Sequence, residues 1–504
     1  MSRAERFGLV VALALGALVR LFPVITAGAV VGDGGLFFAM VNDIRDSGVA
    51  LRTTTSYNGL DIPFVYPPAG LWIAAVIGEV GGIQTIDILR WMPALVSIAC
   101  VAAFALLALR IFEGPTAIGA TLAYALMPAA YGWVVAGGGL TRGIGLLFAL
   151  LATAIAAGHR GRPASWRSVI ACGGLLGLAL LSHPQAGVFG VLAASAFSWR
   201  RPARAWLAHA AVAGGVALLV VIPWLAWVAA TLGIESLAAA AGRFEPLVGV
   251  VRLLSLRFSG AWFMDVVGIM GAVGLVVCLA RGRLRGPVLL AATYLAGAGG
   301  GEFLAAVPWA LLAGVGVVAV ASLAADALGG SGTRTAPRFG VVIGSVALSL
   351  ALIGSLGSSA DPSSKLHPLT TDHIEAMTRL AELSDPNATV IVPSDEVWGY
   401  DDVAEWLPAI SGRHSIGTVQ GSEWSGRDGF NRQLAQHDAI RRCAGSVAAC
   451  YLGIDADALL FIPKGQLNGP LSPADCCPAV RQTLEAAGYE IVYDGAGATI
   501  ARPP

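Results

Sequence analysis

Eleven apolar runs recur along the first 357 residues and leave the chain few folds to choose from. They lie near 7–29, 91–112, 115–134, 142–158, 167–182, 184–199, 205–231, 261–280, 286–300, 303–324 and 339–357. In hydrocarbon a chain must satisfy its own backbone N–H and C=O groups, so apolar runs of roughly twenty residues are read as membrane-crossing helices. Hydrophobic residues make up 56% of the chain and charged ones 13%, and the mean hydropathy is +0.72; the expectation is a polytopic α-helical membrane protein. The 64 glycines suit close helix packing. The first run follows Arg3 and Arg6 as a signal peptide would, but Arg20 interrupts it and many spans follow, so it reads as an uncleaved first span. Net charge is zero and no basic tract stands out, which gives nucleic acid no footing as a partner.

Positive charge assigns the sides. The connections holding His159 to Arg162, Arg200 to Arg204, Arg281 to Arg285 and Arg334 to Arg338 alternate in phase with Arg3 and Arg6, and all are expected in the cytoplasm. The same count places 30–90, 135–141, 232–260 and everything after 357 outside a plasma (inner) membrane. It depends on the short, glycine-rich run at 286–300; without that span the C-terminal part would be cytoplasmic.

The first long polar interruption, residues 30–82, is tied to the membrane at both ends. Asp33 stands where the first span stops, followed by Gly34 and Gly35, which permit close approach of a backbone or ligand. Residues 36–46 read as an amphipathic helix lying in the interface, with Leu36, Phe37, Met40, Val41 and Ile44 on its apolar side. Tyr66-Pro67-Pro68 leads into an apolar run at 69–80, too short to cross and so re-entrant or interfacial.

From about 358 the composition becomes soluble in character. Helices are expected at 371–384, 401–408, 428–446 and 477–487, alternating with strands at 388–394, 414–419 and 457–463 and a terminal hairpin at 489–502. That alternation predicts a C-terminal α/β domain outside the cytoplasm. Cys443, Cys450, Cys476 and Cys477 all lie in it, and four cysteines outside the cytosol predict two disulfides. Cys443 and Cys450 are each expected to pair with one of Cys476 and Cys477, because a vicinal bridge imposes awkward geometry. Zinc is the competing reading, but the spacing lacks paired C-x-x-C motifs and no histidine is near in sequence.

The candidate chemistry collects on the outer face. Asp33 could simply cap the helix after it. Arg142, in GGGLTRG, is an arginine on the side the charge rule disfavours, as are Arg243, Arg252 and Arg257; each has structural ion pairing as its plainer reading. His183 before Pro184 reads first as a satisfied turn histidine, and Glu302 as an acid favoured at a helix start. One topology nevertheless brings Asp33, Tyr66, Arg142, His183 and Glu302 to a single membrane face. Arginine forks grip phosphate oxygens and a carboxylate can deprotonate a hydroxyl, so the set describes transfer from a phosphate leaving group.

DGGLFFAMVNDIRDSG and VYPPAGLW, with weaker support from GGGLTRGIGLLFALLA, LLSHPQAGVFG and GEFLAAVPWALLAG, resemble the GT-C superfamily of integral-membrane glycosyltransferases, of the protein mannosyltransferase or aminoarabinose transferase type. The resemblance covers about residues 1–357. It implies a polyprenyl-phosphate-linked sugar as donor, an extracytoplasmic lipid, glycan or protein as acceptor, and Asp33 as general base. Many members carry a second acid beside that aspartate; here Gly34 and Gly35 follow it, so a divalent metal stays an open question. No nucleotide fingerprint occurs, and no nucleotide cofactor is expected. Inverting displacement would follow, with Arg142 and an arginine from 243–257 stabilising the departing lipid phosphate. Two other functions fit part of the pattern: a lipid-linked polysaccharide polymerase or ligase, and a transporter or flippase. The latter would need broken helices in matching halves around a midplane site, and neither a repeat nor a buried charge at mid-span is evident in the sequence.

Overall fold

The computed structural model describes residues 1–159, 165–199, 203–236, 250–251, 260, 266–296, 302–329, 336–360, 366, 368–465 and 476–504. The apolar runs are helical over their described parts: α1 (Arg3–Ala27), then after the polar stretch α4 (Thr85–Ile111), α5 (Gly114–Leu126), α6 (Gly139–Gly158), α7 (Trp166–Ser182), α8 (Pro184–Ser198), α9 (Ala203–Thr231), α10 (Val266–Ala280), α11 (Arg285–Ala296), α12 (Glu302–Gly329) and α13 (Ala336–Ala360). The polar stretch itself contributes α2 (Gly35–Asp46) and α3 (Ala69–Gly81). Among the described residues, five helices are long and apolar enough to cross a membrane, or up to seven if each of two bent pairs is one span. The run at 115–134 is one of these pairs, turning by 77° after Leu126. Pro128 explains the break: it lacks the N–H that would continue α5, and it pushes Met127 into extended backbone. The other pair, α10 and α11, turns by 118° around Arg281–Leu284.

One charge is buried inside the first span, contrary to expectation. Arg20 has no exposed surface and donates from Nε to Ser97 Oγ (2.9 Å) and from Nη1 to the Gly16 (3.1 Å) and Ala125 (2.7 Å) carbonyl oxygens. Its guanidinium also lies over the rings of Tyr124 and Tyr131. These bonds tie α1 to α4 and α5. An arginine satisfied in this way by neutral groups is a structural clamp, and it offers a transported ion no free charge.

The C-terminal part forms a five-stranded sheet of order β2-β1-β3-β5-β4. β1 (Thr389–Ile391) lies parallel to both β2 (His414–Ile416) and β3 (Leu459–Pro463), while β5 (Ala498–Arg502) runs antiparallel to β3 and to β4 (Glu490–Asp494). α14 (Thr371–Leu383) precedes β1, and the crossovers are α15 (Asp402–Ser411), between β1 and β2, and α16 (Gly426–Cys443), between β2 and β3. The alternation read from the sequence holds, with β3 and all but the last residue of β5 buried as the centre of the sheet.

Two expectations fail here for identifiable reasons. The apolar side of α2 does not face lipid. Leu36, Phe37, Met40, Val41 and Ile44 share one hydrophobic core with Met377, Leu380, Val403, Trp406, Leu407, Phe461 and Ile500, so the C-terminal part covers the helix. A short pairing of Val31 with Pro368, and a bond from Leu369 N to Val30 O (2.8 Å), join the two again. The disulfides also differ: Cys443 pairs with Cys450, seven residues on, and Cys476 with its neighbour Cys477. Cys443 and Cys450 are brought within reach by the end of α16 and the turn after it, with Cα atoms 5.8 Å apart. At Cys477 the left-handed backbone (φ 58°) accommodates the vicinal pair.

Candidate functional site

The site begins where α1 ends. Gly28 takes the left-handed conformation (φ 74°) that closes the helix, and the chain runs on to Asp33. The glycines of 137–139 let a second segment lie against it: Gly137 N donates to Val31 O (2.9 Å) and Gly138 N to Asp33 O. A Cβ at Gly138 would meet Asp33 Oδ2 at 2.9 Å, so this tract is glycine because the aspartate sits on it.

Asp33 does not cap α2. The capping position is Gly34, which makes no side-chain cap bond, and the Asp33 carboxylate turns instead to Arg142 in the first turn of α6, with Nη2 to Oδ2 at 3.2 Å. Arg142 also donates from Nη1 to Trp133 O (3.2 Å) and lies over the Trp133 ring at 4.9 Å. Both side chains of the pair are about one-fifth exposed, at 19% for Asp33 and 20% for Arg142. The second carboxylate oxygen, Asp33 Oδ1, is buried and has no hydrogen-bond partner among the described residues. The arrangement therefore holds one oxygen in a charge-assisted bond and leaves the other with unused accepting capacity.

Tyr66 flanks the pair, its hydroxyl 2.7 Å from Thr141 Oγ1, one residue before Arg142. Its ring meets Phe37 edge-on (5.1 Å) and Trp424 of the C-terminal part at a tilt (5.4 Å).

α15 completes the site, and its role was not legible beforehand. Glu405, 2% exposed, accepts at Oε1 from Gly34 N (3.0 Å) and Leu36 N (3.5 Å), the orphan donors at the start of α2. Its own carbonyl accepts from the Tyr57 hydroxyl at 2.6 Å, and Trp406 Nε1 donates to Gly32 O at 3.0 Å. A Cβ at Gly35 would stand 2.5 Å from Glu405 O. Gly34 and Gly35 thus admit the backbone of a protein helix, one of the two approaches the sequence allowed. Burial pushes the Glu405 carboxyl up to about 8, the charge of Asp33 adds to the rise, and the two N–H groups oppose it. Asp402 is likewise held well above the usual carboxylate range, first by burial and then by Glu405 and Asp33. A segment reading DDVAEWLP carries no motif, and only an acid at a buried helical position signals it.

The other sequence candidates lie apart from this pair. His183 caps α8 through Nδ1, which accepts from Ala186 N (3.3 Å), the turn role that was its plainer reading. It stands beside the site all the same, since a Cβ at Gly145, one turn along α6 from Arg142, would meet His183 Cβ at 2.9 Å. Glu302 opens α12, where the next residue, Phe303, meets the His183 ring at 5.7 Å. Arg243, Arg252 and Arg257 lie outside the described residues. Among the described residues no group of three His, Cys, Asp or Glu side chains is placed to hold a metal ion.

Residues 65–227 match the family model described as dolichyl-phosphate-mannose-protein mannosyltransferase. No curated protein matches the chain by sequence. In fold it is similar to ArnT from Cupriavidus metallidurans, at 16% identity and TM-score 0.56, covering 99% of this chain and 98% of that one; the same enzyme has been seen bound to undecaprenyl phosphate. It is also similar to the oligosaccharyltransferase AglB from Archaeoglobus fulgidus in complex with an inhibitory peptide and a dolichol-phosphate, at 14% identity and TM-score 0.53, covering 82% of this chain. A third likeness is to the arabinofuranosyltransferase AftD from Mycobacteria, at 17% identity and TM-score 0.55, covering all of this chain. The chain spans 64% of the length of AglB and 40% of AftD.

Proposed function

On the premise that the chain carries the GT-C membrane-glycosyltransferase fold, we propose that it transfers a sugar from a polyprenyl-phosphate-linked donor to an acceptor hydroxyl on the outer face of the plasma membrane, with Asp33 as general base. The observation that carries the reading is the Asp33 carboxylate, one-fifth exposed, with one oxygen on Arg142 and the other without a hydrogen bond among the described residues. Polyprenyl phosphates bound to ArnT and AglB support the donor class. The acceptor hydroxyl gives its proton to the Asp33 carboxylate as its oxygen bonds to the anomeric carbon. The bond from that carbon to the phosphate oxygen breaks, and the polyprenyl phosphate leaves with the electron pair. A single displacement inverts the anomeric centre.

Arg142 engages Asp33 and Trp133, so it orients the base, and the grip on the leaving phosphate falls mainly to Arg243, Arg252 and Arg257. The sequence reading gave Arg142 the departing phosphate, together with an arginine from 243–257; its engagement with Asp33 adds the task of orienting the base. Packing of the C-terminal part on the loop that carries Asp33 supports reading both as lying on one side of the membrane, which the proposal takes as the outer one.

The test is transfer by purified full-length protein in lipid nanodiscs, supplied with radiolabelled polyprenyl-phosphate sugars and candidate acceptors. Label should pass to an acceptor with release of polyprenyl phosphate, and Asp33→Asn should slow it by about 10²-fold to 10⁴-fold. Transfer from nucleotide sugars but from no lipid-linked donor would overturn the reading. For the sidedness, an impermeant thiol reagent should modify a cysteine placed at 504 and spare one at 202; protection at 504 would put the C-terminal part in the cytoplasm.

A further inference from the structure

Glu405 reaches the site from the far end of the chain, yet it touches the residue next to the proposed base. Oε1 takes the Gly34 and Leu36 N–H groups, and the rest of the carboxyl is enclosed: Oε2 is buried with no hydrogen-bond partner among the described residues. An acid serving only as a helix cap would have no reason to be so fully withdrawn from water, since caps work well at the surface. Its neighbours reinforce one placement. Trp406 holds Gly32 O, Tyr57 holds the Glu405 carbonyl, and the absence of a side chain at Gly35 lets α15 approach. Asp33 is therefore bracketed, with Gly32 and Gly34 on either side of it both bonded to consecutive residues of one helix.

We propose that Glu405 is a positioning residue for Asp33: a carboxyl group from the C-terminal part pins the first turn of α2 and so fixes where the base stands against Arg142. The proposal rests on the reading of Asp33 as base. It gives the C-terminal part a task in the membrane reaction, because the active geometry forms only when α15 is docked. It also supplies a second acid at the place where Gly34 and Gly35 leave the loop without one. Displacing a reacting group by about 1 Å can cost on the order of 10²-fold in rate, so small movements of this bracket matter.

The groups facing Glu405 are Asp33 on the loop, Arg142 on α6, Tyr57 before α3, Asp402 on its own helix and Glu423 in the turn before α16. With its carboxyl pushed up to about 8, Glu405 keeps its proton near neutrality and gains a charge beside Asp33 above that pH. Activity of the native protein should then fall along an alkaline limb centred near 8.

The experiment compares Glu405→Ala, Glu405→Gln and Asp33→Asn in full-length protein in nanodiscs, with kcat and donor KM expressed per folded molecule. Glu405→Ala should lower kcat by roughly 10-fold to 100-fold with donor KM within about two-fold. Glu405→Gln keeps an oxygen for the Gly34 and Leu36 N–H groups, so it should restore most of kcat near neutral pH and abolish the alkaline limb. Gly35→Ala, which forces α15 away while leaving Glu405 intact, should reproduce the kcat loss and keeps the test open if Glu405→Ala does not fold. An unchanged kcat in Glu405→Ala or Gly35→Ala, a Gln variant as impaired as Ala, or an alkaline limb that persists in Gln would overturn the proposal. Loss in Asp33→Asn with no loss in Glu405→Ala sinks this inference alone, whereas full activity in Asp33→Asn sinks the reading of the base.

Discussion

Two arginines on the apolar helices, Arg20 and Arg142, are held in opposite ways. Arg20 lies inside α1 with no exposed surface, and its bonds go to a serine hydroxyl and to backbone carbonyls. Arg142 stands at the start of α6, one-fifth exposed, and is paired to a carboxylate whose other oxygen has no hydrogen-bond partner among the described residues. A cation surrounded by satisfied neutral acceptors has nothing left to do but hold helices together. A cation that engages half of a carboxylate leaves the accepting capacity of the other half unused. Burial alone does not separate structure from chemistry; the state of the partner's remaining lone pairs does.

The comparison can be broken by substitution. The largest effect is expected at Asp33. Asp33→Asn keeps the shape and removes the proton acceptor, so turnover should fall by about 10²-fold to 10⁴-fold, the usual share of general-base catalysis. Thermal unfolding in detergent should be little changed, because the aspartate caps no helix. Retained turnover would make the Asp33–Arg142 pair structural, like Arg20.

Arg20→Met should show the converse. Leaving Ser97 and the Gly16 and Ala125 carbonyls without their donor should cost on the order of 3 kcal/mol of stability, read as a lower unfolding temperature, while kcat per folded molecule holds. A selective fall in kcat would place Arg20 in the mechanism.

Arg142→Lys is expected to be milder. A lysine keeps the charge but cannot serve Asp33 Oδ2 and Trp133 O with one planar fork. A lost charge-assisted bond of roughly 1.5–3 kcal/mol corresponds to a fall in kcat of about 10-fold to 150-fold. Tyr66→Phe, which removes the hydroxyl 2.7 Å from Thr141 Oγ1, should be the smallest at about five-fold, the value of one neutral hydrogen bond.

Local pattern carried much of this protein. The apolar runs announced the membrane helices, and the strand and helix alternation after 371 matches the sheet and its crossovers element by element, because both signals are periodicities that a window of ten to twenty residues contains. Asp33, Tyr66 and Arg142 were legible for the same reason: each is a polar residue in an apolar or turn-forming context, and charge sidedness brought them to one face. Contacts between distant segments left no such trace. Nothing in GDGG says that its glycines make room for α15, and nothing in DDVAEWLP says that Glu405 and Trp406 close on Gly34 and Gly32, some 370 residues away. The disulfide partners and the covered face of α2 were misjudged likewise. The sequence by itself determined which segments are helix or strand, since backbone hydrogen bonding and burial act locally. Only the tertiary structure decided which buried acid stands beside which loop, since that choice lies in side-chain packing between segments that a linear pattern does not encode.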